Sequence, residues 1–184
     1  METMSLGVES AASHMTHEQR RVFEKIRSGP RGSVPAPFLT MLDAPLLADA
    51  IQEVGAVLRF QSVLSPAHRE TAILSTAGAL SCGYEWRCHA ALAAATGVPA
   101  GVIAATLSDD TANIQDTSLA AIVRLCRSIS LTHAVPAFVL RSAVARFGPQ
   151  ATSELIAIVG YYAMLANFLK CAAKDEPLPT QWSR

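Results

Sequence analysis

Prolines divide this sequence into a series of helical segments. From Pro45 onward, apolar residues recur at spacings of three and four, which is the period of one face of an α-helix. Proline is favoured in the first turn of a helix, where its missing N–H is not needed. No alternating apolar pattern runs longer than four residues, so no strand is predicted. The sequence therefore predicts an all-α fold of about seven to eight helices, packed as an irregular array because no heptad repeat persists.

The helix boundaries follow from caps, prolines and glycines. Thr16 is a candidate N-cap for the first helix, Ser65 precedes Pro66 as a second start signal, and Gly97 is a natural helix end. Residues 29–37 form a turn-rich linker. The predicted helices are 17–26, 45–60, 66–80, 84–96, 99–107, 119–130, 136–148 and, starting at 149 or 152, a last one to 173, with one short helical turn at 38–42.

The N-terminal residues differ from the rest. Residues 1–15 show no periodicity and end in Ser13-His14-Met15, which resembles a cloning junction. We expect this segment to be a tag or a disordered tail. Residues 16–184 suit one domain with a sizeable core.

The composition of the chain limits the kinds of partner that it is expected to bind. Hydrophobic residues make up 51% of the chain and charged residues 16%, with a mean hydropathy of +0.28. A monomer hides so much apolar surface poorly, so we expect a homo-oligomer. The formal net charge is zero and no basic run occurs, which makes nucleic acid and anionic membranes poor partners.

The cysteines and the hydropathy of the chain indicate where in the cell the protein is expected. The four cysteines have no paired spacing and follow no signal peptide, so we expect a reducing, cytoplasmic location. The uncharged run from Leu155 to Leu169 has fifteen residues, which is short of the roughly 20 that a spanning helix needs. We therefore predict no membrane helix.

The segment from Glu70 to His89 carries most of the chemical information. If it is helical, Cys82, Glu85 and His89 stand at i, i+3 and i+7 and share one stripe. Glu70 lies on the apolar stripe of the preceding helix. A carboxylate on a core face is either paired or functional, because burying it alone is costly. The plainer interpretation is an edge glutamate and a hydrogen-bonded core histidine, and spacing alone leaves both open.

The same four residues resemble a known family. Glu70, eleven residues, Cys82, two residues, Glu85, three residues and His89 are similar to the active-site spacing of the carboxymuconolactone decarboxylase and alkylhydroperoxidase-D-like (AhpD-like) superfamily. The peroxidase branch has cysteine at both positions of a Cys-x-x-Cys, where this chain has Cys82 and Glu85. The decarboxylase branch keeps the carboxylate and the histidine, as this chain does. The likeness covers roughly residues 35–179 and implies an AhpD-like helical domain, assembled as a trimer or hexamer.

The decarboxylase branch implies a lyase that acts on a small carboxylated or lactone substrate without a cofactor. Loss of carbon dioxide leaves an enolate, which the site must stabilise and then protonate on carbon. Glu85 is the candidate general acid, and Glu70 is the neighbouring carboxylate that would favour its protonated form. His89 would donate a hydrogen bond to the developing oxyanion or relay the proton.

Four further residues are candidates for substrate binding. Tyr84 and Trp86 would line an apolar pocket for the carbon skeleton. Arg69 flanks the motif and would bind a substrate carboxylate, although a solvated surface arginine is the plainer interpretation. Tyr161 belongs to the Gly-Tyr-Tyr helix that the resemblance places near a subunit interface, and such tyrosines are more often core aromatics.

Two other functions stay open from sequence. A thiol-dependent peroxidase would use Cys82 as its thiolate, with His89 and Glu70 as the proton relay. Cys88 is a poor resolving thiol, because six helical residues rise about 9 Å and a disulfide needs α-carbons within about 7 Å. A recruited isomerase or cyclase, or a non-catalytic assembly protein, is the third class. We expect no metal site, since no second histidine stands at ligand spacing.

Overall fold

The computed structural model describes residues 15–108 and 110–181, and within them it contains only helices and connecting segments. This confirms the predicted all-α class and the predicted number of helices. The predicted tag or tail at residues 1–15 lies, apart from Met15, outside the described residues. The helices are α1 (His17–Ser28), α2 (Ala36–Met41), α3 (Pro45–Phe60), α4 (Pro66–Ala79), α5 (Gly83–Ala95), α6 (Ala100–Ala105), α7 (Thr117–Thr132) and α8 (Ala137–Cys171).

The predicted start signals act through the expected hydrogen bonds. The Thr16 hydroxyl accepts from the backbone N–H of Gln19, whose side chain accepts from the Thr16 N–H to complete a capping box. The Ser65 hydroxyl accepts from the N–H of His68 at the start of α4. Asp116 accepts from two N–H groups of α7. Local capping chemistry therefore fixes where these helices begin.

The last two predicted helices are two helical segments of α8, divided by a kink at Gly148, which confirms the break predicted there. Only Gly148, with φ 81° and ψ 169°, departs from helical geometry within α8, and Pro149 follows it directly. Glycine adopts this positive φ without the strain that a Cβ would cause, and proline suits the first turn of a new helical segment. The predicted helix end at Gly148 and the helix start directly after it are therefore both present.

The described chain divides into two compact units. The first contains residues 15–61 and 165–175, and the second contains residues 62–164 and 176–181. In the first unit α3 packs against α1 and α2, and the Arg31 guanidinium lies over the ring of Phe38 at 5.0 Å from its centroid. The expectation of a single domain over 16–184 stays a prediction.

Helix α4 is the centre of the second unit, where it packs against α5, α6 and α7. The helix approaches the turn after α6 so closely that a Cβ on Gly78 would lie 2.0 Å from the carbonyl oxygen of Thr106. Thr106 also accepts a 2.9 Å hydrogen bond from the indole N–H of Trp86. The buried apolar cluster around these helices comprises Leu74, Ala77, Trp86, Ala90, Ala93, Val98, Val102, Ile103, Leu119 and Val123.

Helix α8 is longer than the apolar run seen in the sequence. Among the described helices it is the one that passes a length and composition test for a membrane span, with a mean hydropathy of 1.3 over its best window. In that window 44% of the residues are buried within the protein. The core helix of a water-soluble protein passes the same test, so this is weak evidence for a membrane span.

Candidate functional site

Helices α4 and α5 bring Glu70 and His89 together inside the second unit. The Glu70 Oε2 atom lies 2.6 Å from His89 Nδ1, a short hydrogen bond between two side chains that are each 4% exposed. Glu85, one helical turn before His89, is also 4% exposed, and its Oε2 lies 3.7 Å from His89 Nε2. The structure thus places the two predicted carboxyl groups on opposite sides of the predicted imidazole, away from bulk water.

The short connection between α4 and α5 sets this geometry. Ser81 takes a positive φ of 52°, and the N–H of Cys82 donates to the carbonyl of Ala77 at 2.9 Å. The chain then reverses within three residues, so the two helices lie side by side. Reversal over so few residues leaves Glu70 on one helix opposite His89 on the other.

A C-terminal segment fixes the start of α5. The N–H of Gly83 donates to the carbonyl of Glu176, and a Cβ on Gly83 would lie 2.1 Å from that oxygen. Only glycine permits this approach. Arg87 donates to the carbonyl of Pro177 and forms an ion pair with Glu176 at 3.0 Å. Arg87 therefore holds the C-terminal segment in this structure.

Tyr162 on α8 completes the site, and the sequence analysis missed its role. Its hydroxyl lies 3.2 Å from His89 Nε2, and its ring packs edge-on against the imidazole with centroids 5.2 Å apart. The neighbouring Tyr161, which is the tyrosine predicted from the sequence, is buried and packs edge-on against Tyr162 instead. The Gly-Tyr-Tyr signal pointed to the correct helical turn, but only the packing of α8 decides which tyrosine faces the histidine.

These contacts determine which nitrogen of His89 carries a proton. When Glu70 is ionised it accepts from the Nδ1–H of His89, which leaves Nε2 with its lone pair. Nε2 is then the acceptor for the Tyr162 hydroxyl, and it faces the Glu85 carboxyl. When His89 is protonated, it is instead a cation between two carboxyl groups. Glu85 Oε2 is 3.7 Å from His89 Nε2, so passing a proton between them requires the two side chains to move closer together.

Arg69 lies beside Glu70. Its Nε is 3.7 Å from Glu70 Oε1, and its side chain is 17% exposed. This buried Nε makes no hydrogen bond to any residue of the described chain. The Arg69 guanidinium therefore lies against the Glu70 side of the site. The proposed role in substrate binding stays a prediction.

Cys82 does not share the helical stripe that the sequence analysis assigned to it. Helix α5 begins at Gly83, and Cys82 is its N-cap residue, with an extended backbone at φ −99° and ψ 96°. Only Glu85 and His89 are therefore neighbours on one helical face. The Cys82 side chain is fully buried, whereas Cys88 is exposed, and no disulfide joins any of the four cysteines, which all lie in the described chain.

The two predicted pocket aromatics differ in their surroundings. Trp86 is fully buried in the apolar cluster of the second unit, and its one polar atom is satisfied by Thr106. These are the contacts of a core residue, because a side chain packed on all sides has no face left for a ligand. Tyr84 is half-buried at the first turn of α5. No group of three or more His, Cys, Asp or Glu side chains in the described chain is arranged to hold a metal ion.

The fold and the site define an all-α protein with a buried carboxylate–imidazole–phenol cluster. Residues 45–127 match the family model of the carboxymuconolactone decarboxylase family. The match confirms the resemblance noted in the sequence, and it contains Glu70, Cys82, Glu85 and His89. Tyr162 lies beyond it. A search of curated proteins found no significant match.

Proposed function

We propose that this protein is a cofactor-free lyase that decarboxylates a small carboxylated or lactone substrate. The observation that carries the proposal is His89 held between Glu70 at Nδ1 and both Tyr162 and Glu85 at Nε2, all of them buried. General acid–base catalysis needs groups that exchange a proton within hydrogen-bond reach, in a place that excludes water. The match of residues 45–127 to the carboxymuconolactone decarboxylase family supports the same reaction class.

The reaction assigns a separate role to each group. The bond between the substrate's α-carbon and its carboxylate breaks, carbon dioxide leaves, and the electron pair moves into the adjacent carbonyl to form an enolate. Glu85 gives its proton to the carbon, and solvent later restores it. The Tyr162 hydroxyl and His89, once it is protonated at Nε2, are the hydrogen-bond donors for the enolate oxygen, while Glu70 orients His89. In a buried site these donors are worth more than in water, because they need no reorganisation as charge develops.

The test is turnover of a panel of lactone carboxylic acids by the Glu85→Gln variant, with carbon dioxide release as the readout. Removing the proton donor should lower kcat at least about 100-fold. Glu53→Gln is the matched control, because Glu53 is an exposed glutamate in the first unit. Unchanged turnover by Glu85→Gln in a folded protein would exclude Glu85 as the acid.

A thiol peroxidase is the alternative. The observation that supports a peroxidase is the position of Cys82 at the N-terminus of α5, because the positive end of a helix dipole favours a thiolate. Against it, Cys82 is buried and Cys88 is exposed six residues further on, where a helical rise of about 9 Å exceeds the roughly 7 Å between α-carbons that a disulfide allows. Cys82→Ser separates the two functions, because the lyase should keep its turnover and the peroxidase should lose all consumption of an alkyl hydroperoxide in the presence of a dithiol.

A further inference from the structure

The second unit has a cleft between α7 and the first part of α8, distinct from the buried site. Its volume is about 240 Å³, and neither Glu70, Glu85, His89 nor Tyr162 lines it. Its walls combine cationic, hydroxyl and apolar side chains: Thr117, Ala121, Arg124, Phe138, Val139 and Arg146.

Positive charge is concentrated around this cleft. The chain is neutral overall, yet residues 117–153 contain no aspartate or glutamate and carry arginine at four positions, which are 124, 127, 141 and 146. Two of these, Arg124 and Arg146, line the cleft. Two guanidinium groups that share one cleft without a carboxylate repel each other, and a bound anion would relieve that repulsion.

The two arginines have donors available for a ligand. Among the described residues, Arg146 donates through its Nη1 atom alone, to the hydroxyls of Thr117 at 3.0 Å and Ser118 at 3.3 Å. These hydroxyls position the guanidinium and are themselves uncharged. Arg124 is exposed and makes no ion pair with any residue of the described chain. A guanidinium binds a carboxylate through paired N–H donors, so both side chains suit an anionic group.

The apolar part of the cleft indicates what is attached to that anion. Phe138 is 66% exposed, an unusual position for a large aromatic ring, and Val139 and Ala121 lie beside it in the cleft wall. Covering such a ring with an apolar group is favourable in water. A simple inorganic anion would leave this apolar surface exposed to water.

We propose that the cleft is a binding site for a small organic carboxylate with an aromatic or branched apolar body. The carboxylate lies between Arg124 and Arg146, and the apolar body covers Phe138. Small-molecule sites of this type combine apolar walls with a few placed polar groups. This proposal does not depend on the proposed lyase activity, because it uses none of the same residues.

Isothermal titration with 2-naphthoate tests the proposal, and 2-naphthamide is the neutral ligand of the same shape. The full-length protein should bind one 2-naphthoate per chain and should bind the amide at least about tenfold more weakly. Arg124→Gln and Arg146→Gln should each weaken naphthoate binding by a similar factor. Arg141→Gln is the matched control, because Arg141 is an exposed arginine of α8 outside the cleft. Phe138→Ala keeps both arginines and should also weaken binding.

Four results would overturn the proposal: no saturable binding, equal binding of acid and amide, unchanged binding in both arginine variants, or equal losses in Arg141→Gln. The Glu85→Gln variant separates the two sites. Retained naphthoate binding in that variant supports a second site. Binding lost in Glu85→Gln but kept in the arginine variants would assign the ligand to the buried cluster, which refutes the cleft proposal and leaves the lyase proposal standing.

Discussion

Glu70 and His89 are 19 positions apart in the sequence, and their side chains are joined by a 2.6 Å hydrogen bond. Because this contact holds Nδ1, it also decides that Nε2 is the nitrogen that faces Tyr162 and Glu85. A carboxylate that orients an imidazole is a positioning group, and the site depends on it even though it does not itself face the proposed substrate.

Glu70→Gln tests this positioning role. The amide is nearly the same size, but it carries no charge and offers an N–H as well as an oxygen, so the tautomer of His89 is no longer fixed. We expect kcat for the proposed decarboxylation to fall about 100-fold or more with a smaller change in KM. Steady-state kinetics and circular dichroism check both points. A folded variant with normal kcat would contradict the assignment.

Tyr162→Phe tests the residue that the sequence analysis missed. The variant keeps the ring packed against His89 and removes only the hydroxyl at Nε2, so we expect kcat to fall about tenfold and stability to change little. Tyr161→Phe is the comparison variant, because Tyr161 is the neighbouring tyrosine that was predicted from the sequence. A larger loss for Tyr161→Phe than for Tyr162→Phe would show that the sequence-based choice was the better one.

Gly78→Ala tests the close approach of α4 to the turn after α6. An added Cβ would meet the carbonyl oxygen of Thr106 at 2.0 Å, so backbone must move, and we expect a loss of about 1–3 kcal/mol in the free energy of unfolding. Gly101→Ala is the matched control on α6, since its Cβ would meet nothing within 4 Å. That variant should be neutral or slightly more stable. Urea unfolding measures both.

His68 should make stability depend on pH. Its ring packs edge-on against Phe147, and burial lowers the pKa of His68 below its ordinary value of 6.5, with Asp116 opposing this in part. The unfolded chain therefore binds this proton more readily than the folded chain. The contribution of neutral His68 to the free energy of unfolding is therefore fully present above pH 6.5, and it is lost as the pH falls through the lowered pKa.

We expect the free energy of unfolding to rise with pH across this window and the rise to be smaller in His68→Gln. Urea unfolding at a series of pH values measures it. His17→Gln changes an exposed histidine and serves as the control. An identical pH dependence in wild type and His68→Gln would remove His68 as the source.

The apolar surface of α3 should form a subunit contact. Five large apolar side chains of this helix are exposed: Leu46, Leu47, Val54, Val57 and Phe60. Burying them against another copy of the chain is favourable. We expect light scattering to give a trimer or hexamer, and the double variant Val54→Glu, Val57→Glu to shift it toward the monomer. A monomeric wild type, or an assembly unaffected by these charges, would refute this contact.

Much of the fold was predictable because its signals are local. Thr16, Ser65 and Asp116 cap the helices that they precede, and periodic apolar residues mark the faces that become buried. Gly148 and Pro149 are a local signal of the same kind. Glycine allows the positive φ that divides α8 into two segments, and proline suits the start of the second segment.

The sequence by itself determined the helical class, the helix starts and the set of Glu70, Glu85 and His89, since spacing and residue chemistry are local properties. Tertiary structure alone decided that Cys82 lies outside the helical stripe, that Trp86 is a core residue, and that Tyr162 rather than Tyr161 reaches His89. These outcomes depend on how α8 and α6 are rotated against α4 and α5. That rotation is set by the packing of many side chains at once, and no single segment records it.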